Sequence, residues 1–205
     1  MVVFIIGCGS TAEGWFNHPH DLSIGVNDCL KWGKDTEWLL VVNRKFSAER
    51  EAIIRRSKPQ KFFTTIPYWQ DVFPKHETLR LQRYPKRVKK GHVYSSKTSP
   101  FIALSMAFNA GAKDVVLFGV DLVSHPVIKD KLRDYELRNF AHICQEMASQ
   151  GTKVWVSSKE SSLSKFLPLA NIEDSIASRC MRIFDDIQKM ADDLCGPIKH
   201  QPPTI

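Results

Sequence analysis

Five apolar residues, Val2-Val3-Phe4-Ile5-Ile6, run without a polar break into Gly7-Cys8-Gly9-Ser10-Thr11. The run is too short for a helix and rich in branched side chains, so it reads as a strand buried on both faces. Such burial marks a parallel sheet covered by helices. The same grammar returns in Ser23-Ile24-Gly25-Val26-Asn27-Asp28 and in Asp114-Val115-Val116-Leu117-Phe118-Gly119-Val120-Asp121. Each time an apolar strand stops and small or polar residues follow at its carboxyl end. That edge of an open α/β sheet is where ligands bind.

Strands are expected near 2–6, 23–26, 38–42, 61–64, 114–118 and 153–156, and helices near 47–57, 100–111, 133–149 and 171–194. This alternation predicts an α/β fold: a doubly wound, mostly parallel Rossmann-like sheet with helices on both faces and a long carboxyl-terminal helix. Pro67, Pro74 and Pro85 break the pattern within 65–97, which receives no secure element. At Thr98-Ser99-Pro100 a capping hydroxyl precedes a proline at the first helical position, and Gly111 closes the helix. Ile172, Ile176, Cys180, Ile183, Ile187, Met190 and Leu194 alternate spacings of four and three, an apolar stripe on one long helix. Packing of that stripe on its own domain is preferred to a coiled coil, with a homo-oligomer through this helix as the alternative. The organisation expected is a nucleotide-binding domain over 1–170, the helix over 171–195 packed on it, and a flexible tail over 196–205.

A chain of 205 residues, 43% hydrophobic and 25% charged, suits one globular α/β domain with an appendage. No apolar run approaches the roughly 20 residues that span a bilayer. The amino terminus shows no charged leader before an apolar segment, so cytoplasmic residence is the expectation. Cys8, Cys29, Cys144, Cys180 and Cys195 form no Cys-x-x-Cys pair, which argues against a zinc site or a disulfide framework. The net charge of +7 is concentrated: Arg80, Arg83, Lys86, Arg87, Lys89, Lys90 and Lys97 fall in a stretch without a carboxylate. Such a run attracts phosphate-rich partners, anionic glycans or nucleic acid, or is simply a solvated loop. Arg83, Arg87, Lys89 and Lys90 form the candidate acceptor or anion patch, and the flanking Tyr84 and Tyr94 offer a weak stacking platform.

The glycine loop lacks the third glycine of the dinucleotide fingerprint, no acidic residue ends a second strand in the NAD manner, and no Gly-Lys-Ser/Thr appears. Redox chemistry and Walker-type hydrolysis therefore have no support. Gly7 and Gly9 instead let backbone amides turn toward a phosphate, and Ser10 and Thr11 add hydroxyl donors. Asn27 and Asn43 stand at successive strand ends, where an amide serves a base or sugar hydroxyl, or simply a turn. Thr98 and Ser99 start a helix whose amino end doubles as an anion site. Asp121, behind Gly119, is open to ribose hydroxyls, a metal or a capping role. His125 is the candidate general base, with an idle surface histidine as the alternative. Cys8 is either a reactive thiol or, the preferred reading, a small filler of a tight turn. His18 and His20 are a weak metal pair, and no metal site is assigned.

Taken in order, these residues resemble the bacterial CMP-sialic-acid-dependent sialyltransferases and the related archaeal 6-hydroxymethylpterin diphosphokinases. Gly7-Cys8-Gly9-Ser10 stands where the sialyltransferases have Gly-x-Gly-Pro-Ser, without the proline. Asn27 and Asn43 occupy places comparable to their donor-binding asparagines. Thr98-Ser99-Pro100 matches a Thr-Ser-Gly helix start, and Gly119-Val120-Asp121 a Gly-Ile-Asp strand end. The likeness covers roughly 2–167 in short patches, with Thr98 to Asp121 the best. It departs at the family's catalytic histidine, for which this chain offers only Ser124-His125, earlier and in reversed order. The resemblance implies a transferase using a CMP- or other nucleotide-activated sugar, with no cofactor required. In that reading Gly7, Gly9, Ser10, Thr11, Asn27, Asn43, Thr98, Ser99, Gly119 and Asp121 hold the nucleotide. The first rival is a diphosphokinase with ATP and Mg²⁺ near Asp121; the second is a nucleic-acid-binding module using 80–97.

Overall fold

The computed structural model describes residues 1–84, 88–122 and 130–170. The chain divides into two units, Met1–Ala170 and Asn171–Ile205. The second unit, with the helix expected over 171–194, the tail over 196–205 and any oligomer contact through them, lies outside the described residues.

Nine strands and four α-helices occur among the described residues: β1 (Val2–Ile6), β2 (Leu22–Val26), β3 (Trp38–Val41), α1 (Ala48–Arg56), β4 (Lys61–Thr64), α2 (Pro67–Val72), β5 (His76–Thr78), β6 (Leu81–Arg83), β7 (Val93–Ser95), α3 (Ser99–Asn109), β8 (Asp114–Phe118), α4 (Asp130–Ser149) and β9 (Lys153–Val156). Seven strands form one parallel sheet in the order β5-β4-β3-β2-β1-β8-β9. The expected α/β class is thus present. The long apolar runs became its central strands: every residue of β1 is buried.

The proline-rich stretch 65–97 is more regular than its sequence predicts. Pro67 does not break a helix but begins α2, where its missing N–H has no helical partner to lose. Strands β5, β6 and β7 have three residues each, too few to show a period, and β6 and β7 pair with each other in a separate parallel ribbon. Tyr84 and Tyr94 are buried in the core, so neither presents a face for a base to stack on.

Strand order decides where a ligand can sit. From β1 the chain steps outward through β2, β3, β4 and β5, then returns to β8 on the other side of β1. The direction of winding reverses between β1 and β8, and the crevice beyond their carboxyl ends is the ligand position of such sheets. Ile6 lies opposite both Gly25 and Phe118, which brings the ends of β1, β2 and β8 level.

The glycines at this point serve a purpose other than the expected one. The amide of Gly7 donates to the Phe118 carbonyl at 2.7 Å and that of Gly9 to the Gly119 carbonyl at 2.9 Å. Both N–H groups are spent on the neighbouring loop and are not offered to a ligand. Gly119 itself has φ +63°, and a Cβ there would lie 2.7 Å from the Ala12 Cβ and 2.8 Å from the Gly9 carbonyl oxygen. A Cβ on Gly9 would fall inside the Asp121 carboxylate. The small residues permit backbone to lie directly on backbone.

Among the described residues no helix is long and apolar enough to cross a membrane. The core is built by the apolar faces of α3 and α4 against the sheet, with Phe101, Leu104 and Phe108 from α3 and Phe140, Ile143 and Met147 from α4 wholly buried.

Gly119→Ala combines a left-handed backbone with a clash against backbone atoms that cannot rotate away. It should cost at least about 2 kcal/mol in urea unfolding, whereas Gly151→Ala, also at positive φ but with nothing within 4 Å of its Cβ, should cost about half as much.

Candidate functional site

A cavity of about 1140 Å³ opens at the carboxyl edge of the sheet. Its floor is the pair of loops after β1 and β8, and its sides are the ends of β2 and β3, the start of α3, and α1. Gly9, Ser10, Thr11, Asn27, Asn43, Thr98, Ser99, Gly119 and Asp121 all line it, although they are scattered over more than a hundred residues of sequence. Gly7 lies beneath this floor, buried.

Asn27 is the most informative of these residues. It follows β2 with φ 55°, a left-handed conformation that asparagine tolerates better than most residues. Its amide donates to the Leu40 carbonyl at 2.9 Å, which pins it between β2 and β3. The residue is only 8% exposed, yet its side-chain Oδ1 is buried with no hydrogen-bond partner. Burying an amide oxygen unpaired costs about 1–3 kcal/mol. The residue also lines the cavity, which puts this unfilled oxygen beside the space a ligand would enter. Asn43 is exposed at the end of β3, its carbonyl held by the Trp69 indole at 3.1 Å.

Asp121 is already engaged by protein. Its carboxylate accepts the Thr11 hydroxyl, whose oxygen in turn accepts the Gly119 amide at 3.1 Å. The Thr11 hydroxyl is therefore used to join the two loops rather than left free as expected. Ser10 is exposed, and among the described residues its hydroxyl and amide have no partner. Among the same residues no group of three or more His, Cys, Asp or Glu side chains stands together as a metal site. His18 and His20 are tied into packing: the His20 Nδ1 meets the His18 carbonyl at 2.9 Å and its ring stacks on Phe4 at 4.7 Å.

Thr98 sits at the N-cap of α3 without making the expected capping bond. Its hydroxyl donates instead to Glu136 Oε2 at 2.9 Å. The amino end of α3 thus reaches the cavity without its own side-chain cap, and Pro100 in its first turn has no N–H to satisfy. Sequence reasoning missed several charged residues here. Lys31, Arg44, Lys45, Arg50 and Lys97 line the cavity. Among the described residues the side chains of Arg44, Lys45 and Lys97 have no carboxylate partner. The signal was present, because Arg44 and Lys45 directly follow Asn43 at a strand end.

Arg50 does have a partner. It reaches Asp28 at 2.5 Å from α1, whose Ser47 cap accepts the Arg50 amide. Burial, the largest single influence, would raise the Asp28 carboxyl, but the hydrogen bonds from Arg50 and Cys8 together with the Arg50 charge outweigh it and hold the group below the usual carboxylate range. The Cys8 thiol donates to Asp28 Oδ1 and the Val26 carbonyl, each at 3.3 Å. Burial, reinforced by the Asp28 charge, pushes that thiol up to about 12. Both the contacts and the raised pKa favour the reading of Cys8 as a filler of the turn.

Of the proposed anion patch, Arg83 lines a separate hollow of about 290 Å³ with Tyr84, Ser95, Ser96, Lys97 and Tyr135. Lys89 and Lys90 are exposed and line neither space. Arg87 and His125 lie outside the described residues.

No protein-family model matches this chain, and neither does any curated protein. Solved structures do match. The chain is similar to the sialyltransferase CstII from Campylobacter jejuni in complex with the substrate analogue CMP-3FNeuAc, at 13% identity over 82% of this chain and 85% of that one, with a TM-score of 0.52. A point mutant of α-2,3/8-sialyltransferase CstII aligns at 14% identity over 83% and 87% with a TM-score of 0.54. CstII in complex with a trisaccharide acceptor and CMP aligns at 12% identity over 83% and 86%, TM-score 0.52. At these identities the likeness establishes a shared fold.

Two outcomes follow from the Asp28 cluster. In the folded chain Cys8 should resist iodoacetamide at pH 8, seen as an unmodified Cys8 peptide by mass spectrometry, and should react once the chain is unfolded. Because the Asp28 pKa is lowered on folding, the stability it contributes is complete above about pH 4, its unfolded range, and is lost as pH falls through the lower folded value. Asp28→Asn should accordingly lower Tm at pH 7 and flatten the acid limb of the Tm–pH profile.

Proposed function

We propose that this chain is a glycosyltransferase-like enzyme that takes a nucleotide-activated sugar, with a CMP-linked donor as the first candidate. The observation that carries the reading is the buried Oδ1 of Asn27, unpaired among the described residues, beside a cavity at the β1–β8 winding reversal. Three cations whose side chains have no carboxylate partner among the described residues line the same cavity, which suits an anionic ligand. The likeness to CstII, solved with CMP and with CMP-3FNeuAc, supports the choice of donor.

In this reading Asn27 accepts from a base amine or ribose hydroxyl, and Asn43 lies across from it at the next strand end. Ser10, Ser99 and the start of α3 face the phosphate. Transfer breaks the bond between the sugar's anomeric carbon and a phosphate oxygen, so negative charge grows on the departing nucleotide. Fixed dipoles and cations stabilise such charge because they need no reorganisation as it develops. Lys97, Arg44 and the α3 amino end, which line the cavity, are proposed for that task. The Asp121–Thr11 bond keeps the two loops in register beneath the donor. His125 is proposed as the general base that takes the acceptor's hydroxyl proton.

Thermal-shift titration with CMP, UMP, GDP and ATP, each with and without Mg²⁺, tests the reading. A nucleotide at a hundred times its Kd adds about 2.7 kcal/mol to stability, an easily measured rise in Tm. CMP should give the largest rise and should not need Mg²⁺. Asn27→Gly retains the left-handed backbone and removes only the amide, so it should weaken CMP about tenfold with Tm little changed. Absence of stabilisation by any nucleotide at millimolar concentration would overturn the reading.

A further inference from the structure

Glu136 is fully buried in α4, yet no cation meets it among the described residues. It occupies the apolar stripe of its helix, in line with the buried Phe140, Ile143 and Met147. A carboxylate in that position is costly unless its oxygens are filled. They are filled by one short stretch of chain. The Ser96 hydroxyl donates to Oε1, the Lys97 backbone amide donates to Oε1 at 3.1 Å, and the Thr98 hydroxyl donates to Oε2 at 2.9 Å. The Asn139 amide adds a bond to Oε1 at 3.4 Å and another to the Ser96 hydroxyl at 2.7 Å.

Three consecutive residues thus hang from one side chain, and they are the residues that lead into α3. Thr98 and Lys97 line the cavity, and Ser99 follows immediately. We propose that Glu136 is a positioning residue: it fixes the entrance of α3, and through it sets Lys97 and Ser99 against the ligand. A neutral packing side chain would fill the same space but could not gather three donors. The placement rests on the nucleotide reading of the cavity for its consequence, though not for its geometry. The carboxylate is served by hydroxyls and backbone, while Lys97, which lines both the cavity and the smaller hollow, forms no ion pair with it among the described residues.

The test compares full-length wild type, Glu136→Ala, Glu136→Gln and Ser96→Ala. Amide exchange by mass spectrometry is read over 96–99 and over β1 and β8, and CMP affinity is read by calorimetry well below each Tm. Glu136→Ala should speed exchange at Lys97 and its neighbours at least about tenfold while β1 and β8 stay protected, and should weaken CMP by about tenfold or more. Glu136→Gln should recover most of both, because its oxygen still accepts from Ser96 and Lys97 and the Thr98 hydroxyl can turn to accept from its amide. Ser96→Ala, which lies outside the nucleotide cavity, should show a smaller change of the same kind and decides the matter if Glu136→Ala does not fold. Unchanged exchange at 96–99, or a uniform loss of protection with CMP affinity intact, would overturn the proposal. If wild type binds no nucleotide but exchange at 96–99 responds as described, the nucleotide reading fails and the role of Glu136 at the α3 entrance stands.

Discussion

The contact on which this molecule depends is the one between the backbones after β1 and β8. Two amide-to-carbonyl bonds, from Gly7 and Gly9, hold the loops together where the sheet reverses its winding. No side chain fits between them, so glycine is demanded at Gly9 and Gly119 by the space itself. The Thr11–Asp121 bond closes the same junction from above. Separate the loops by even the width of a methyl group and the cavity floor opens. The positions of Ser10, Asn27 and the α3 entrance are all measured from that floor.

This explains why the glycine motif was easy to find and easy to misread. A sequence displays Gly-x-Gly after a strand but not the partner that the missing side chains make room for. The phosphate-loop reading assigned the Gly7 and Gly9 amides to a ligand, whereas a neighbouring strand had already claimed them. The same limit applies to Thr98, whose hydroxyl was read as a helix cap because Pro100 follows closely. The competing acceptor, Glu136, is 38 residues away in sequence, since the two numbers differ by 38. Local grammar predicts that a hydroxyl will be used; it does not name the long-range partner that uses it.

Elements with a period were legible and elements without one were not. The apolar runs of β1, β3 and β8 stand out because three to five residues in a row are buried, and the face of α4 because burial recurs at helical spacing. Between 65 and 97 the strands are three residues long and one helix has six. A proline there was taken as a breaker when its place at the start of α2 made it a good beginning. The strand-end asparagines were legible as polar residues in the right place. That Asn27 has a left-handed backbone and an unfilled oxygen follows from β2 and β3 meeting above it, which only three dimensions show.

The two buried carboxylates divide the charges of the site between them. Asp28 takes a cation, Arg50, and the pair joins α1 to the loop after β2. Glu136 takes none, and its oxygens are filled by neutral donors from the α3 entrance. Had Lys97 turned inward to neutralise Glu136, the buried pair would have been stable, but the cavity would have lost the cation nearest the start of α3. Satisfying a buried anion with neutral hydroxyls and a backbone amide leaves Lys97 unpaired at the cavity proposed above to take a nucleotide. Neutral donors also hold direction better than an ion pair, because each hydrogen bond has a preferred angle as well as a distance. One glutamate on the apolar face of a helix therefore gathers the backbone at the start of α3 without taking the Lys97 charge, which is the combination the proposed anion site calls for.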